Sequence, residues 1–166
     1  MKKWKGFLGA ALLLCALLCV VGTVVAADGT HSAHPVCGAT HKDIGDHTGA
    51  CQAVTWTAWD GTTDIDYGDN NTAYVYLTDN ATRSDSLTVT GGTLNLCLNG
   101  KMLNAEIDVK DGATLNLCDC RGGGEITNTS SGAIYVETAS LNLFGGKISA
   151  SDGYTILLKN GKLTDG

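Results

Sequence analysis

The residue types best suited to metal chemistry cluster near the N-terminus, in a short segment rich in histidine and cysteine. The segment contains, in order, His31, His34, Cys37, His41, His47 and Cys51. Imidazole and thiolate groups are the ligands of closed tetrahedral zinc sites, so the two cysteines with two of the histidines form a candidate metal set. The set we name is His34, Cys37, His47 and Cys51. Because the spacing matches no standard zinc finger, a Cys37–Cys51 disulfide and a solvated His-rich linker are open alternatives.

Three further cysteines, Cys97, Cys118 and Cys120, lie in the second half of the chain. Cys97 and Cys118 each follow the string LNL, so they occupy the same position in two similar segments. Neighbouring strands bring Cα atoms within disulfide range, and we predict a bridge from Cys97 to Cys118 or Cys120, with stacked free thiols as the alternative. If the strand after Leu117 stays extended, Cys118 is the nearer partner. If the corner at Gly122 to Gly124 begins early, Cys120 turns outward and is the odd thiol.

An acidic string, DGTTDIDYGDNN, occupies residues 60–71. Asp60, Asp64, Asp66 and Asp69 supply the oxygen ligands that calcium prefers, but their order does not match the 12-residue EF-hand loop. We interpret the string as a solvated acidic loop.

Five aromatic residues lie within this string or close to it. They are Trp56, Trp59, Tyr67, Tyr74 and Tyr76. Such rings either stack on sugars or cover the open apolar end of a repeat structure, and the sequence favours the cap.

Residues 1–27 have the pattern of a signal peptide. Three lysines precede an apolar run from Phe7 to Val21, and the small residues from Val25 to Ala27 supply a cleavage site. An uncleaved anchor helix is the alternative, because the apolar run approaches the length of a bilayer span. We predict cleavage after Ala27, a secreted or cell-surface location, and no membrane contact by the mature chain.

The charge balance argues against one class of partner. The chain has 11 basic and 17 acidic side chains and a net charge of −6, and loss of the leader lysines makes it more negative. A chain of this charge repels a phosphate backbone. We therefore expect no nucleic-acid partner.

Pairs of apolar residues recur through the second half of the chain, and the two residues of each pair are two positions apart. One set comprises Leu87/Val89, Ile107/Val109, Ile134/Val136 and Ile156/Leu158, and a second comprises Leu94/Leu96, Leu115/Leu117, Leu141/Leu143 and Leu163. A third column is expected at Met102, Ile126 and Ile148, each preceded by a glycine and a charged residue. Asn95, Asn116 and Asn142 fall at equivalent positions and are expected to form an amide ladder. This alternation is the period of strands with one buried face.

Three short strands that return in the same order every 20–27 residues describe the coils of a solenoid. The predicted fold class is all-β, a parallel β-helix with three strands per coil. An antiparallel sandwich is the alternative, because Asn99-Gly100 and Asn160-Gly161 have the sequence of hairpin turns.

The predicted organisation has four parts. The signal peptide (1–27) is followed by an irregular segment rich in His, Cys and Asp (28–72), an N-terminal cap (73–85) and the β-helix coils (86–166). The last coil is uncapped, so we expect a fragment of a longer polypeptide.

The repeats carry a family resemblance. The strings LCLNGK (96–101), TLNLCDCRGGGEIT (114–127) and SLNLFGGKIS (140–149) resemble repeats of large secreted clostridial surface proteins, which are often termed adhesin-like. HSAHPVCG (31–38) is similar to the region that often precedes such repeats. The resemblance implies a right-handed β-helix of the broad pectate-lyase-like class, located outside the cell.

The resemblance also implies a non-catalytic surface solenoid that presents or spaces a binding face. Carbohydrate or host glycoprotein is the expected partner class, with no cofactor beyond the candidate zinc. The alternative is the N-terminal part of a carbohydrate-active β-helix enzyme, a polysaccharide lyase or hydrolase, whose active site lies beyond Gly166.

Glycoside hydrolysis requires two carboxylates about 5 to 9 Å apart. The acids of neighbouring coils that might align are Asp108 with Glu137 and Asp119 with Glu125, but neither pair recurs in a matched position. We therefore predict no catalytic residue and no enzymatic activity for this chain.

Overall fold

The computed structural model describes residues 56–165, which consist of short strands joined by turns. The strands are β1 (Thr57–Trp59), β2 (Thr72–Leu77), β3 (Ala81–Thr82), β4 (Leu87–Thr90), β5 (Thr93–Cys97), β6 (Met102–Asn104), β7 (Ile107–Lys110), β8 (Thr114–Cys118), β9 (Glu125–Asn128), β10 (Ile134–Glu137), β11 (Ser140–Leu143), β12 (Lys147–Ala150), β13 (Ile156–Lys159) and β14 (Lys162–Asp165). Within this range there is no helix of the length and apolarity needed to span a bilayer.

The strands form three parallel sheets, to which each full coil contributes one strand apiece. Sheet A has the order β1-β2-β5-β8-β11-β14, sheet B the order β12-β9-β6-β3, and sheet C the order β13-β10-β7-β4. Every strand pair is parallel, and each strand pairs with its equivalent in the next coil. The predicted parallel β-helix is confirmed, and the antiparallel sandwich is wrong.

Stacked columns of apolar side chains fill the interior. Leu115 of sheet A lies in register between Leu94 and Leu141, and all three are fully buried. Ile107 and Ile134 pair in the same way in sheet C. Burial of each such side chain contributes about 1.5 to 3 kcal/mol, which is comparable to the cost of ordering one or two residues. Each coil therefore depends on its neighbours for stability, as the predicted columns implied.

The third column differs from the prediction by one residue. Leu103 pairs with Ile126 and is fully buried, whereas the predicted Met102 pairs with Glu125 and is 38% exposed. The corners between sheets A and B differ in length from coil to coil, so the glycine and charged residue that precede the apolar position are not a reliable guide to register.

The solenoid extends further toward the N-terminus than Ser86. Strand β2 pairs in register with β5, and β1 pairs with β2, so residues predicted as cap or irregular segment belong to sheet A. Trp59 is buried in the core and Tyr67 packs against the core, whereas their role as a cap stays a prediction. Tyr74 alternates with the buried Val75 and lies on the outer face of the sheet.

The Asn99-Gly100 pair forms a corner between two sheets, although its sequence is typical of a hairpin. Both residues have positive φ, 54° and 73°. The Asn99 side chain donates a hydrogen bond to the backbone oxygen of Leu77 in the preceding coil, at 2.8 Å. This contact ties the corner to its neighbour along the solenoid axis.

Candidate functional site

The outer surface of sheet C carries an uninterrupted group of aromatic and charged side chains. Ile107 and Val109 of β7 point inward, so Asp108 and Lys110 point outward, and the same alternation exposes Tyr135 and Glu137 of β10. Two residues of the adjoining corners complete the group. We refer to Glu106, Asp108, Lys110, Tyr135, Glu137 and Tyr154 as the tyrosine–acid face.

Glu106 and Tyr154 connect three coils at the corners that join sheet B to sheet C. The Tyr154 hydroxyl donates to Glu106 Oε1 at 2.7 Å, and Ser131 Oγ, from the coil between them, donates to Glu106 Oε2 at 3.0 Å. Burial, and then the bond to Glu106, raise the pKa of Tyr154. The hydroxyl is protonated at neutral pH, as in any tyrosine, and donates to Glu106.

Gly132 makes the position of the Tyr154 ring possible. A Cβ atom at Gly132 would lie 1.9 Å from the ring carbon Cε2 of Tyr154. That distance is far inside van der Waals contact, so any side chain at residue 132 would displace the ring. The Tyr154 ring therefore packs directly over Gly132 of the preceding coil.

Ion pairs fix the charged members of the face. Lys110 Nζ lies 2.8 Å from Asp108 Oδ2 and 5.7 Å from the centroid of the Tyr135 ring. Lys159 Nζ lies 2.6 Å from Glu137 Oε1, and this contact lowers the pKa of Glu137. The rings of Tyr135 and Tyr154 are 6.4 Å apart and tilted by 50°. Two half-buried rings thus lie among charges held by defined partners.

A polar cleft of about 220 Å³ adjoins the face at the same corners, and its lining includes Arg83, Asn104, Glu106 and Ser131. The Arg83 side chain is only 7% exposed. Its guanidinium donates to the backbone oxygens of Gly61 and Thr62 and to Asp85. Within residues 56–165 the buried Arg83 Nε has no hydrogen-bond partner.

Sequence reasoning did not single out Glu106, Tyr135 or Tyr154. A signal for Tyr135 was present, because it lies between the predicted inward residues Ile134 and Val136 and alternation places it on the outer face. The Glu106–Tyr154 contact joins residues 48 positions apart through corners of variable length, and the sequence carries no signal for it.

The two carboxylate pairs considered for catalysis are engaged in other contacts. Asp108 is the register partner of Tyr135, and Glu137 is that of Lys110. Asp119 is buried and accepts hydrogen bonds from Gly100 N and Gly124 N. Contacts with neighbouring strands and backbone N–H groups therefore account for the positions of these carboxylates.

Glu125, the carboxylate that the sequence pairs with Asp119, lies on the outer side of sheet B. It pairs with Lys147 at 2.9 Å and accepts a hydrogen bond from Ser149 at 2.5 Å. The bond from Ser149 is the main cause of its lowered pKa.

The cysteine and asparagine positions predicted to stack are register partners. Cys97 pairs with Cys118 on adjacent strands, and Asn95 pairs with Asn116. Asn116 Nδ2 donates to Asn95 Oδ1, and Asn142 Nδ2 donates to Asn116 Oδ1, both at 2.7 Å. The amide ladder is confirmed.

The acidic string folds into turns through its own carboxylates. Asp60 Oδ1 accepts from the backbone N–H groups of Thr62 and Thr63, and Asp66 Oδ1 accepts from Gly68 N. Across residues 56–165, no three His, Cys, Asp or Glu side chains are grouped to hold a metal ion. The acidic string therefore has a structural explanation as a set of capped turns.

Several predicted features lie outside the described residues. They are the signal peptide (1–27), the candidate zinc set His34, Cys37, His47 and Cys51, and the Cys37–Cys51 disulfide. No family model, curated protein or solved structure matches this chain.

Proposed function

We propose that this chain belongs to a secreted or surface-exposed, adhesin-like β-solenoid that binds carbohydrate, free or on a host glycoprotein, without catalysing its breakdown. The observation that carries the proposal is the tyrosine–acid face, where Tyr135 and Tyr154 lie among charged groups contributed by successive coils. The proposal of an extracellular location is supported by the leader-like residues 1–27 and by the family resemblance of the repeats.

The chemistry of the face suits a ligand that is apolar on its flat sides and rich in hydroxyl groups at its edges. Aromatic rings offer flat apolar surface. Carboxylates accept hydrogen bonds from hydroxyl groups, and ammonium groups donate to them. Because Asp108 and Glu137 are each held by a lysine, these groups lose little conformational freedom when a ligand binds.

The adjoining cleft supports the same ligand class. Its lining residues Arg83, Asn104, Glu106 and Ser131 offer polar groups of the kinds that hydrogen-bond to hydroxyl groups. The acids Asp85 and Glu106 in the same lining disfavour an anion.

The composition of the face favours sugar over other macromolecules. Three carboxylates on it, with a chain charge of −6, repel nucleic acid. Charged residues are depleted at the centres of protein–protein interfaces, whereas this face has Lys110 and Asp108 beside its central ring. A hydroxylated, uncharged ligand avoids both penalties.

The test is a glycan-array and mucin-binding measurement on the purified full chain, followed by titration with the best ligand. Tyr135→Ala and Glu106→Gln are expected to weaken binding about tenfold or more, as loss of a central contact does. Tyr76→Ala, on the outer face of sheet A, is the matched control and should bind normally. Binding that is unchanged in both face variants would contradict the proposed site.

The non-catalytic part of the proposal has its own measurement. Each bound polysaccharide is incubated with the protein and assayed for new reducing ends and for unsaturated uronate products. We expect neither product. Product release that disappears in Glu106→Gln or Glu137→Gln would replace the adhesin-like function with the enzyme.

Export is tested separately by N-terminal sequencing of the chain recovered from the medium of a bacterial host. A mature N-terminus at Asp28 is expected. Retention in the cell membrane with an intact leader would instead indicate the anchor helix.

A further inference from the structure

Cys97, Cys118 and Cys120 form a compact group of thiols on two adjacent coils. Cys97 Sγ and Cys120 Sγ are 3.4 Å apart, although 23 residues separate them in the sequence. Cys118 Sγ lies 3.6 Å from the backbone oxygen of Leu96, and 0% of its residue surface is exposed. Cys97 is equally buried, whereas Cys120 is partly exposed.

We propose that Cys97 and Cys120 are a modification site, at which oxidation forms a disulfide that links two adjacent coils and leaves Cys118 as a thiol. This assignment selects Cys120 over Cys118, which is the partner that the repeat positions favour. It does not depend on the proposed carbohydrate function.

The geometry of the corner favours Cys120 as the partner. Cys97 and Cys118 are register partners within β5 and β8, which pair along their full lengths. Their spacing of about 4.8 Å between strands lies within the Cα range of a disulfide. Cys118 Sγ, however, contacts the backbone oxygen of Leu96 at 3.6 Å, whereas Cys120 Sγ lies 3.4 Å from Cys97 Sγ.

Cys120 has more freedom to move. It precedes Gly122 and Gly123, which have φ values of 75° and 83° and no atoms near their Cβ positions. The two sulfur atoms need to approach by about 1.4 Å to reach the S–S bond length of about 2.05 Å. An open glycine corner can make this adjustment without disturbing a strand.

Accessibility fixes the order of the two chemical steps. Thiol–disulfide exchange begins with a thiolate that can reach the oxidant, and Cys120 is the exposed member of the group. The Cys120 thiolate attacks a small-molecule disulfide, RSSR, and forms a Cys120–SR mixed disulfide with release of one RSH. Cys97 then attacks the Cys120 sulfur, which forms the Cys97–Cys120 bond and releases the second RSH. Two protein thiols are oxidised, one RSSR is reduced, and both thiol protons leave on RSH.

The environment of Cys97 agrees with this order. Hydrogen bonding with the Cys118 side chain is the main cause of a raised pKa at Cys97. A thiol of raised pKa is a poor first nucleophile for a reagent in solution. Cys97 reacts more readily with the mixed disulfide at Cys120, because the sulfur atoms of the two cysteines are already 3.4 Å apart.

The experiment treats the purified full chain with oxidised glutathione, alkylates the remaining thiols after unfolding, and maps the peptides without reduction. Trypsin alone leaves Cys118 and Cys120 on one peptide, because cleavage follows Lys110 and Arg121. Additional cleavage before Asp119 separates them. We expect a Cys97–Cys120 linked peptide, with Cys118 alkylated.

Two variants make the assignment decisive. Cys118→Ala should retain the link, and Cys120→Ser should lose it without acquiring a link from Cys97 to Cys118. Oxidation should raise the melting temperature of the original chain by roughly 10 °C, as expected for a closed loop of this size. A Cys97–Cys118 peptide, a link to Cys37 or Cys51, or alkylation of all three thiols after oxidation would overturn the proposal.

Discussion

Asp119 Oδ1 accepts a hydrogen bond from the backbone N–H of Gly100 in the preceding coil, at 2.7 Å. Its other oxygen, Oδ2, accepts from Gly124 N at 2.6 Å, so one carboxylate joins the corners of two coils. Asp119 is 4% exposed. A buried carboxylate with two backbone donors is a structural element of the stack, which explains why an acid lies in an otherwise apolar region.

Removal of this carboxylate is expected to destabilise the solenoid. Asp119→Ala leaves two backbone donors without their acceptor, and hydrogen bonds to charged groups contribute about 1.5 to 3 kcal/mol each. We expect a loss of about 3 kcal/mol in the free energy of unfolding, measured by urea denaturation. Asp119→Asn retains one acceptor oxygen, so its free energy of unfolding should lie between those of Asp119→Ala and the unmodified chain. Asp152→Asn, at an exposed position, is the control, and a loss as large as that of Asp119→Ala would contradict this explanation.

The stacked leucine column provides the most severe test of the coil arrangement. Leu115 is fully buried between Leu94 and Leu141. In Leu115→Asp a carboxylate enters this apolar column without a partner, which costs several kcal/mol. We expect loss of the cooperative thermal transition followed by far-ultraviolet circular dichroism.

Leu157→Asp is the matched control, because Leu157 lies on the outer side of β13 and is 42% exposed. It should melt like the unmodified chain. A Leu115→Asp variant with the same transition would be incompatible with the buried column.

The features that the sequence predicted are those that depend only on alternation within a strand. The sequence predicts the column of Leu94, Leu115 and Leu141 because strand residues two apart share a face, whatever the length of the corners. It predicts Met102 in place of the buried Leu103 because that position depends on the length of a corner, which changes between coils. Tyr154 and Glu106 meet only because two coils of different length bring their corners into line. Contacts between corners are therefore the part of such a fold that sequence periodicity does not determine.

The amide ladder gives a graded prediction within one column. Asn116 makes two ladder bonds, to Asn95 and from Asn142, each 2.7 Å long. Asn116→Ala removes both bonds. It also leaves Oδ1 of Asn95, a residue that is 2% exposed, without its hydrogen-bond donor. We expect a loss of about 2 kcal/mol in the free energy of unfolding.

Asn142→Ala is the internal comparison for the ladder, because it removes one ladder bond from the same column. Its loss in urea denaturation should be about half as large. An equal or greater loss for Asn142→Ala would show that the asparagines contribute separately and that the ladder adds nothing.

The Asp60 turn is expected to depend on pH at the acid end of the scale. Asp60 Oδ1 accepts hydrogen bonds from Thr62 N and Thr63 N at 2.8 and 2.9 Å, and from Thr63 Oγ at 3.0 Å. The backbone bond from Thr63 is the main cause of the lowered pKa of Asp60, which is about 2 in the folded chain against a usual 3.8. Because the folded pKa is lowered, the turn's stabilisation is fully present above about pH 4 and is lost as the pH falls toward 2.

The measurement is an NMR titration of the amide signals of Thr62 and Thr63. Their shifts should change with a midpoint near pH 2 as the Asp60 carboxylate is protonated and its bonds are lost. The same turn holds the Trp59 indole, whose Nε1 donates to Thr63 O at 2.9 Å, so the indole signal should follow. Asp60→Asn, which cannot titrate, is the control and should remove the transition. A midpoint close to 3.8 in the unmodified chain would mean that the carboxylate does not hold this turn.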